Sequence, residues 1–449
     1  MPPFSSTLEQ RVSALLGSLE GRDSFSRSGY VTRLTGPMIE SRGPMTSIGD
    51  LCSIESNTNQ EPILAEVVGF REHDVLLMPF GLVQGIRPGC RITSLGTPLE
   101  IPIGEGLLGR VVDGLGRPLE GPKISGLLTS TPLYKAPPHP LRRTRIEKRF
   151  HTGIKAVDLF MPMGRGQRMG IFAGSGVGKS TLLGMMADHG DADVNVIALI
   201  GERGREVREF IERDLNEESR RKSIIVVATS DEPPIVRLKG AFTAMSIAEH
   251  FRDQGKNVLL MMDSVTRLAM AQREIGLSVG EIPTNKGYTP SVFAILPQLL
   301  ERAGCGTEGS ITGLFTVLVE GDDMNDPIAD AVRSILDGHV ILTRELATAN
   351  HYPAIDVLQS VSRLQRDLAD PTSAQLTQAA RQIMALYKEN KELISLGAYT
   401  PGSNADLDLA IALMPKINQV LQQGCEEGAT QQQAMEELSQ SLASASTTN

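Results

Sequence analysis

The stretch from Arg168 to Leu182, RMGIFAGSGVGKSTL, leaves this chain few ways to fold. Met169–Ala173 is an unbroken apolar run, which reads as a buried strand. Gly174, Ser175, Gly176, Val177 and Gly178 follow as a turn. Lys179, Ser180 and Thr181 then lead into an apolar helical pattern that begins at Leu182. Strand, glycine turn, Lys-Ser-Thr and helix make a phosphate-binding P-loop. Glycines let the backbone wrap tightly and turn its N–H groups toward an anion. The helix N-terminus adds unpaired donors and partial positive charge. Lys179 has the length to reach β- and γ-phosphates, and Ser180 can ligate Mg²⁺. The usual pattern opens with glycine where this chain has Ala173, so that position must keep ordinary strand or helix dihedrals.

A P-loop needs a sheet around it, and the sequence supplies one. Strand signals recur at Met169–Ala173, Val194–Ile200, Ser223–Ala228, Val258–Met262, Thr312–Leu318 and His339–Leu342, with helical patterns between them. That alternation predicts a largely parallel sheet covered on both faces, with ligands bound beyond the carboxyl ends of its strands. The residues leaving each strand therefore matter. Glu202 is the first carboxylate past Val194–Ile200. It either polarises a water for attack on phosphate or simply suits a helix N-terminus. Asp263 ends the run Val258–Met262, where such an acid holds Mg²⁺, often through water. Thr266 and Arg267 read as phosphate sensors or as a helix cap and a surface charge.

Elsewhere the texture changes. Leu8, Val12, Leu15, Leu16 and Leu19 recur at helical spacing, so residues 1–24 carry an amphipathic helix that folds back or docks a partner. Residues 25–95 hold short strand-like runs at Tyr30–Leu34, Met38–Glu40, Ile63–Phe70, Asp74–Pro79 and Arg91–Ser94, separated by Gly, Pro and Asn turns. These predict a small β-barrel. A Gly- and Pro-rich connector opens the central domain, 96–372. Its basic cluster, Arg142, Arg143, Arg145, Lys148 and Arg149, is either a solvated loop or a channel or subunit contact. Residues 373–449 are mostly helical, with Tyr399 in the loop between two long helices and a short polar tail. Tyr352, before Pro353, either stacks on a base or is half-buried; Arg363 ends a polar turn and by itself points to nothing.

With 449 residues, 41% of them hydrophobic, the chain can build several cores. A net charge of -9 argues against indiscriminate nucleic-acid binding. Four scattered cysteines without a C-x-x-C pair suit reduced thiols in a cytosolic protein. No signal-peptide pattern and no bilayer-length apolar run is present, so a soluble protein is expected, reaching any membrane through partners.

The motifs GIFAGSGVGKST, IGERGREV, LMMDSVTR, GYTPSVF, HYPAID and SVSR, in that order, resemble those of the type III secretion ATPases. These are relatives of the rotary ATP synthase subunits. Residues 47–52, 75–80 and 172–178 are most similar to the flagellar export branch, and Ala173 is usual in the family. The resemblance implies a small β-barrel, a RecA-like P-loop domain and a helical end. It further implies ATP and Mg²⁺ as substrate and cofactor. Lys179 and residues 174–181 would hold the phosphates, Ser180 and Asp263 the Mg²⁺. Glu202 would activate water, Tyr352 and Tyr399 would flank adenine, and Arg363 would act as an arginine finger in the next subunit's site. A hexameric ring follows, with a stator-like protein on the N-terminal helix, chaperone–substrate complexes, a membrane export gate, and a place at the cytoplasmic face of the inner membrane. Energising flagellar export is the function expected. An injectisome ATPase or a proton-translocating rotary subunit shares the core. An RNA motor would need a basic, aromatic barrel, which Tyr30, Phe70 and Phe80 among mixed charges do not make. A catalytically silent nucleotide scaffold, like the non-catalytic rotary subunit, would not need Glu202.

Overall fold

The structure is a computed structural model describing residues 27–56, 61–120, 128–319, 321 and 323–443. The Leu8–Leu19 helix expected from sequence and the polar tail from 444 lie outside the described residues. The chain divides into two compact units, Met1–Leu99 and Glu100–Asn449.

In the first unit six strands close a barrel: β1 (Ser28–Thr35), β2 (Met38–Arg42), β3 (Asp50–Ile54), β4 (Ile63–Arg71), β5 (Asp74–Pro79) and β6 (Arg91–Pro98). Closure removes the open edges that a sheet of this size would expose. Its interior is Val31, Ile39, Ile54, Val67, Leu77 and Ile92, with the thiols of Cys52 and Cys90 among them. Burial pushes the Cys52 thiol up to about 11, so it stays protonated and serves as a small apolar filler. Strand β3 is the one the sequence pattern did not single out; Asp50, Cys52 and Ser53 dilute its apolar signal.

The second unit is built on one nine-stranded sheet. A ribbon of β7 (Glu100–Ile103) and β9 (Thr129–Pro132) precedes it, and β10 (Arg149–Phe150) pairs with β11 (Met163–Gly164). The sheet runs β19 (Val361–Ser362), β18 (Gly338–Leu342), β12 (Arg168–Ala173), β17 (Ser310–Leu318), β15 (Asn257–Asp263), β13 (Val194–Ile200), β14 (Ser223–Ala228) and β8 (Val111–Asp113), with β16 (Gly304–Cys305) against β17. All of these pairs are parallel except β19 on β18 and β16 on β17. Every residue of β13, β14 and β15 is buried, which is why these strands read as continuous apolar runs rather than alternating ones. The three carboxyl-terminal helices, Pro371–Ser395, Ala405–Leu421 and Gln431–Ala443, belong to the same unit. Ala380, Met384, Leu413, Ile417, Ala434 and Leu438 enter its core.

Within the connector's basic cluster Arg145 and Lys148 are exposed, as a solvated loop would have them, but Arg143 differs. Arg143 is not solvated: its guanidinium donates to the Ala303 carbonyl at 3.1 Å and to a Glu301 carboxylate oxygen at 3.2 Å. Beyond it, Val111–Asp113 of the same connector joins the sheet edge beside β14.

A buried ion pair holds the Pro234–Asp253 helix to the connector. The Arg302 side chain, 1% exposed, meets Glu249 at 2.7 and 2.9 Å, Ser246 Oγ at 2.9 Å and the Leu133 carbonyl at 3.0 Å. Removing only the arginine would strand a carboxylate in a dry interior. Arg302→Met is expected to cost about 3–5 kcal/mol, seen as a lower melting temperature, whereas Arg302→Met with Glu249→Leu recovers most of the loss. Equal losses in the single and double variants would show that packing, not charge pairing, dominates there.

Candidate active site

Strand β12 ends at Ala173 and the Lys179–His189 helix begins six residues later. The turn between them depends on Gly176 and Gly178, at φ 77° and 90°, which only glycine adopts without strain. The helix buries Leu182–Ala187, and among the described residues no side chain caps its N-terminus. Its first N–H groups are thus left for a ligand. The ring of Tyr352 lies against this turn: a Cβ placed on Gly178 would stand 3.5 Å from it. Tyr352 is 42% exposed, so the ring rests on this turn and is still partly open.

Lys179 reaches past β17 to the end of β15. Its Nζ lies 2.5 Å from Asp263 Oδ1 and 3.7 Å from Glu202 Oε1. Asp263 has a second donor, Thr316 Oγ1 on the intervening β17, at 2.8 Å. One ammonium therefore sits between two carboxylates from neighbouring strands, all three side chains 12% exposed or less. Glu202 holds the weaker share. Its carboxyl is pushed up to about 7, first by burial and then by the negative charge of Asp263, with Lys179 opposing. Its Oε1 has no hydrogen-bond partner within the described structure. The Glu206 side chain, hydrogen-bonded to this carboxyl, pushes it the same way. A carboxylate that titrates near neutrality beside a phosphate loop is suited to accept a proton from water.

Gly201 sets this group in place. It has φ 70°, and a Cβ there would lie 2.8 Å from the Arg267 side chain. The helix after β15 starts with Ser264, whose hydroxyl takes the Arg267 N–H at 3.3 Å, and Thr266 Oγ1 accepts the Leu318 N–H at 2.9 Å. Thr266 is thus a clip between elements. The Nε of Arg267 is buried and has no hydrogen-bond partner among the described residues.

For a divalent cation, the protein offers the Ser180 hydroxyl at the helix start and the buried Asp263 carboxylate. Both are hard oxygen donors of the kind Mg²⁺ takes. Among the described residues no cluster of three or more His, Cys, Asp or Glu could cage a metal by itself. The donor set therefore fits an ion brought in with phosphate oxygens rather than one held by protein alone.

Two residues named from sequence lie elsewhere. Arg363 follows β19, and its N–H is bonded to the Asp337 carbonyl at 2.9 Å, at the start of β18. Asp337 in turn sits beside Arg168, the first residue of β12, while the P-loop leaves the last. That separates Arg363 from its own loop by about 17 Å along the sheet. It is exposed, and its guanidinium makes only a 3.5 Å contact with the Arg333 carbonyl among the described hydrogen bonds. Tyr399 departs from the expected place beside adenine. Its hydroxyl donates to the Asn404 carbonyl at 3.0 Å and the Asp408 carboxylate at 2.9 Å, at the start of the Ala405–Leu421 helix. Tyr352 meets the other end of that helix, where the Gln423 N–H donates to its carbonyl at 3.0 Å. The two tyrosines are thus about 25 Å apart along the helix. The sequence reading missed Thr316. It is one of three hydroxyl residues in its strand, with Ser310 and Thr312, so the sequence pattern does not single it out.

Comparison with known proteins agrees with this architecture. Residues 153–362 match the nucleotide-binding domain of the ATP synthase alpha/beta family, 31–96 its beta-barrel domain, and 369–440 the type III secretion EscN ATPase C-terminal domain. The flagellum-specific ATP synthase of Bacillus subtilis is 50% identical over 93% of this chain and 96% of its own. The type 3 secretion system ATPase of Xanthomonas euvesicatoria is 47% identical over 97% of each. The assembled ATPase EscN of enteropathogenic E. coli superposes with a TM-score of 0.87 at 46% identity, over 92% of this chain and all of that one. A second EscN structure, in complex with its central stalk EscO, gives 0.84 at 44% identity. The chain belongs to the ATP synthase alpha/beta family, in its type III secretion branch, and is an ATPase.

Proposed function

We propose that this ATPase hydrolyses Mg²⁺-bound ATP to energise export of flagellar proteins through a type III apparatus. The observation that carries the hydrolytic part is the Lys179–Asp263–Glu202 cluster at the mouth of the P-loop. The flagellar assignment rests on relatives: flagellum-specific ATP synthases of B. subtilis and Treponema pallidum share 50% of aligned residues and that of Pseudomonas aeruginosa 45%, with two secretion-system ATPases between them at 47% and 46%. An injectisome role is the alternative.

Phosphates enter where the backbone N–H groups of residues 174–181 converge. Lys179 turns from Asp263 to the β- and γ-oxygens, and charge on the incoming phosphate replaces charge on the carboxylate. Mg²⁺, held by Ser180 and through water by Asp263, would offset charge on the β- and γ-phosphates. Glu202 aligns a water and takes its proton. Tyr352, anchored on Gly178, offers its exposed part to the base. Because Arg363 stands far from its own loop, its guanidinium serves the site of a neighbouring copy, where it stabilises charge in the transition state. That requires a closed ring, which we take as a hexamer; EscN is itself described as assembled, with a central stalk. Residues 1–24 would dock a stator-like protein. The ring would sit at the cytoplasmic face of the inner membrane, receiving chaperone–substrate complexes and feeding an export gate. Among the described residues no helix is long and apolar enough to cross a membrane.

Arg363→Ala is expected to keep nucleotide binding and lose about 10³-fold or more in turnover; Lys179→Ala should lose both. Normal hydrolysis by the Arg363 variant would remove the trans contribution. With Glu202 titrating near 7, kcat/KM for ATP should rise between pH 6 and 8, and Glu202→Gln should bind ATP yet show no such rise. The same group links pH to stability. Its folded value of about 7 exceeds the ordinary 4.5, so its protonated form favours folding and that stability is lost as pH rises between the two. Nucleotide-free Glu202→Gln should therefore melt higher than the parent at pH 8, with the gap closing near pH 4.5. In a strain lacking its own copy, this chain should restore filament assembly and swimming, and Lys179→Ala should not; restored effector injection without motility would move the assignment to the injectisome.

A further inference from the structure

We propose that Gln167, together with the Arg168–Asp337 pair, is a positioning residue for Arg363, holding its backbone so that the guanidinium is aimed at the neighbouring subunit. This rests on Arg363 acting in trans as described above. The side chain of Arg363 is exposed and weakly held, so its aim must come from the backbone beneath it. That backbone follows a strand of two residues, too short to be fixed by its ladder alone.

What fixes it is a buried polar joint. The Arg363 N–H donates to the Asp337 carbonyl at 2.9 Å. Gln167 Nε2 lies 3.2 Å from the same carbonyl and 3.1 Å from Ser362 Oγ, and Ser362 Oγ donates to the Pro162 carbonyl at 2.9 Å. Gln167 is fully buried, and its Oε1 accepts the Gly164 N–H at 2.9 Å. Directly after it, Arg168 clamps the Asp337 carboxylate through Nε and Nη2, both at 3.1 Å, and through its backbone N–H at 3.1 Å. Its Nη1 reaches Glu301 at 2.6 Å. Gly338 lets the layers close: a Cβ there would lie 2.5 Å from the Val361 carbonyl and 2.6 Å from Met169 Sδ.

A side chain needed only to fill space at 167 would be apolar, because a buried amide is tolerated only when its hydrogen bonds are met. Here Nε2 is met by the Asp337 carbonyl and Ser362 Oγ beside the Arg363 backbone, and by Met169 Sδ at 3.3 Å, while Oε1 is met by the Gly164 N–H. Gln167 immediately precedes β12, and Arg168 opens it. The strand that carries a subunit's own phosphate loop at one end therefore holds, at the other, the arginine lent to the next subunit. Transition-state stabilisation of this kind is steeply sensitive to placement, about 100-fold for a misplacement of about 1 Å.

The test uses full-length Gln167→Met and, as a variant that leaves β12 untouched, Ser362→Ala. Each is expected to bind ATP with unchanged affinity and KM while kcat falls roughly 10- to 100-fold. Each is then co-assembled with Lys179→Ala subunits, which lack a working loop but keep a well-aimed Arg363. Activity should return, because the intact loop of the Gln167→Met subunit now meets an intact guanidinium. A residue that only supported its own fold or its own loop would not be rescued by its neighbour. If Arg363→Ala regains activity with Lys179→Ala but neither positioning variant does, the inference is overturned. If Arg363→Ala itself is not rescued, the trans reading beneath it fails instead. Unchanged kcat in both variants would also overturn the inference.

Discussion

One ammonium shared between two buried carboxylates is the interaction on which the site depends. Lys179 lies at hydrogen-bonding distance from Asp263 and farther from Glu202. The inequality sorts the two acids. Asp263, supported also by Thr316, is the anchored one. Glu202, left with burial and a nearby like charge, is held near neutrality in its titration. Two chemically similar side chains thus meet different electrostatic surroundings, one closely paired and one not.

The sheet makes that arrangement possible. Strands β12, β17, β15 and β13 are parallel neighbours in that order, so their carboxyl ends deliver the loop, Thr316, Asp263 and Glu202 along one rim. Complete burial of β13, β14 and β15 fixes the rim rigidly, because no strand can slip without turning apolar residues outward or clashing with both covering layers. The opposite rim carries a different joint. There, Gln167, Arg168 and Asp337 bind the segment of Arg363 to the amino end of β12. A parallel strand has two chemically distinct ends, and this protein uses both.

Much of this was legible in the sequence because it is local. The glycines at 176 and 178, the continuous apolar runs, and the acids at 202 and 263 each announce themselves within a few residues. The barrel was legible as short strands with turns, apart from β3, whose polar residues hid it. Tyr352 could be named but not placed; its position against Gly178 depends on a distant turn and on Gln423. Tyr399 was misplaced for the same reason. A loop between two helices gives no sign of which end of the pair lies beside Tyr352, and here the loop lies at the other end.

The sequence by itself determined the phosphate loop, the parallel sheet and the acids at its strand ends, since these follow from backbone sterics and from hydrophobic period over short spans. Only the tertiary structure decided the rest: that Lys179 leans to Asp263 rather than Glu202, that Arg143 is tied down rather than solvated, and that Arg363 stands at the opposite rim from its own loop. Those outcomes hang on strand order and on contacts between residues far apart in the chain, which bring charges together at distances no linear pattern encodes.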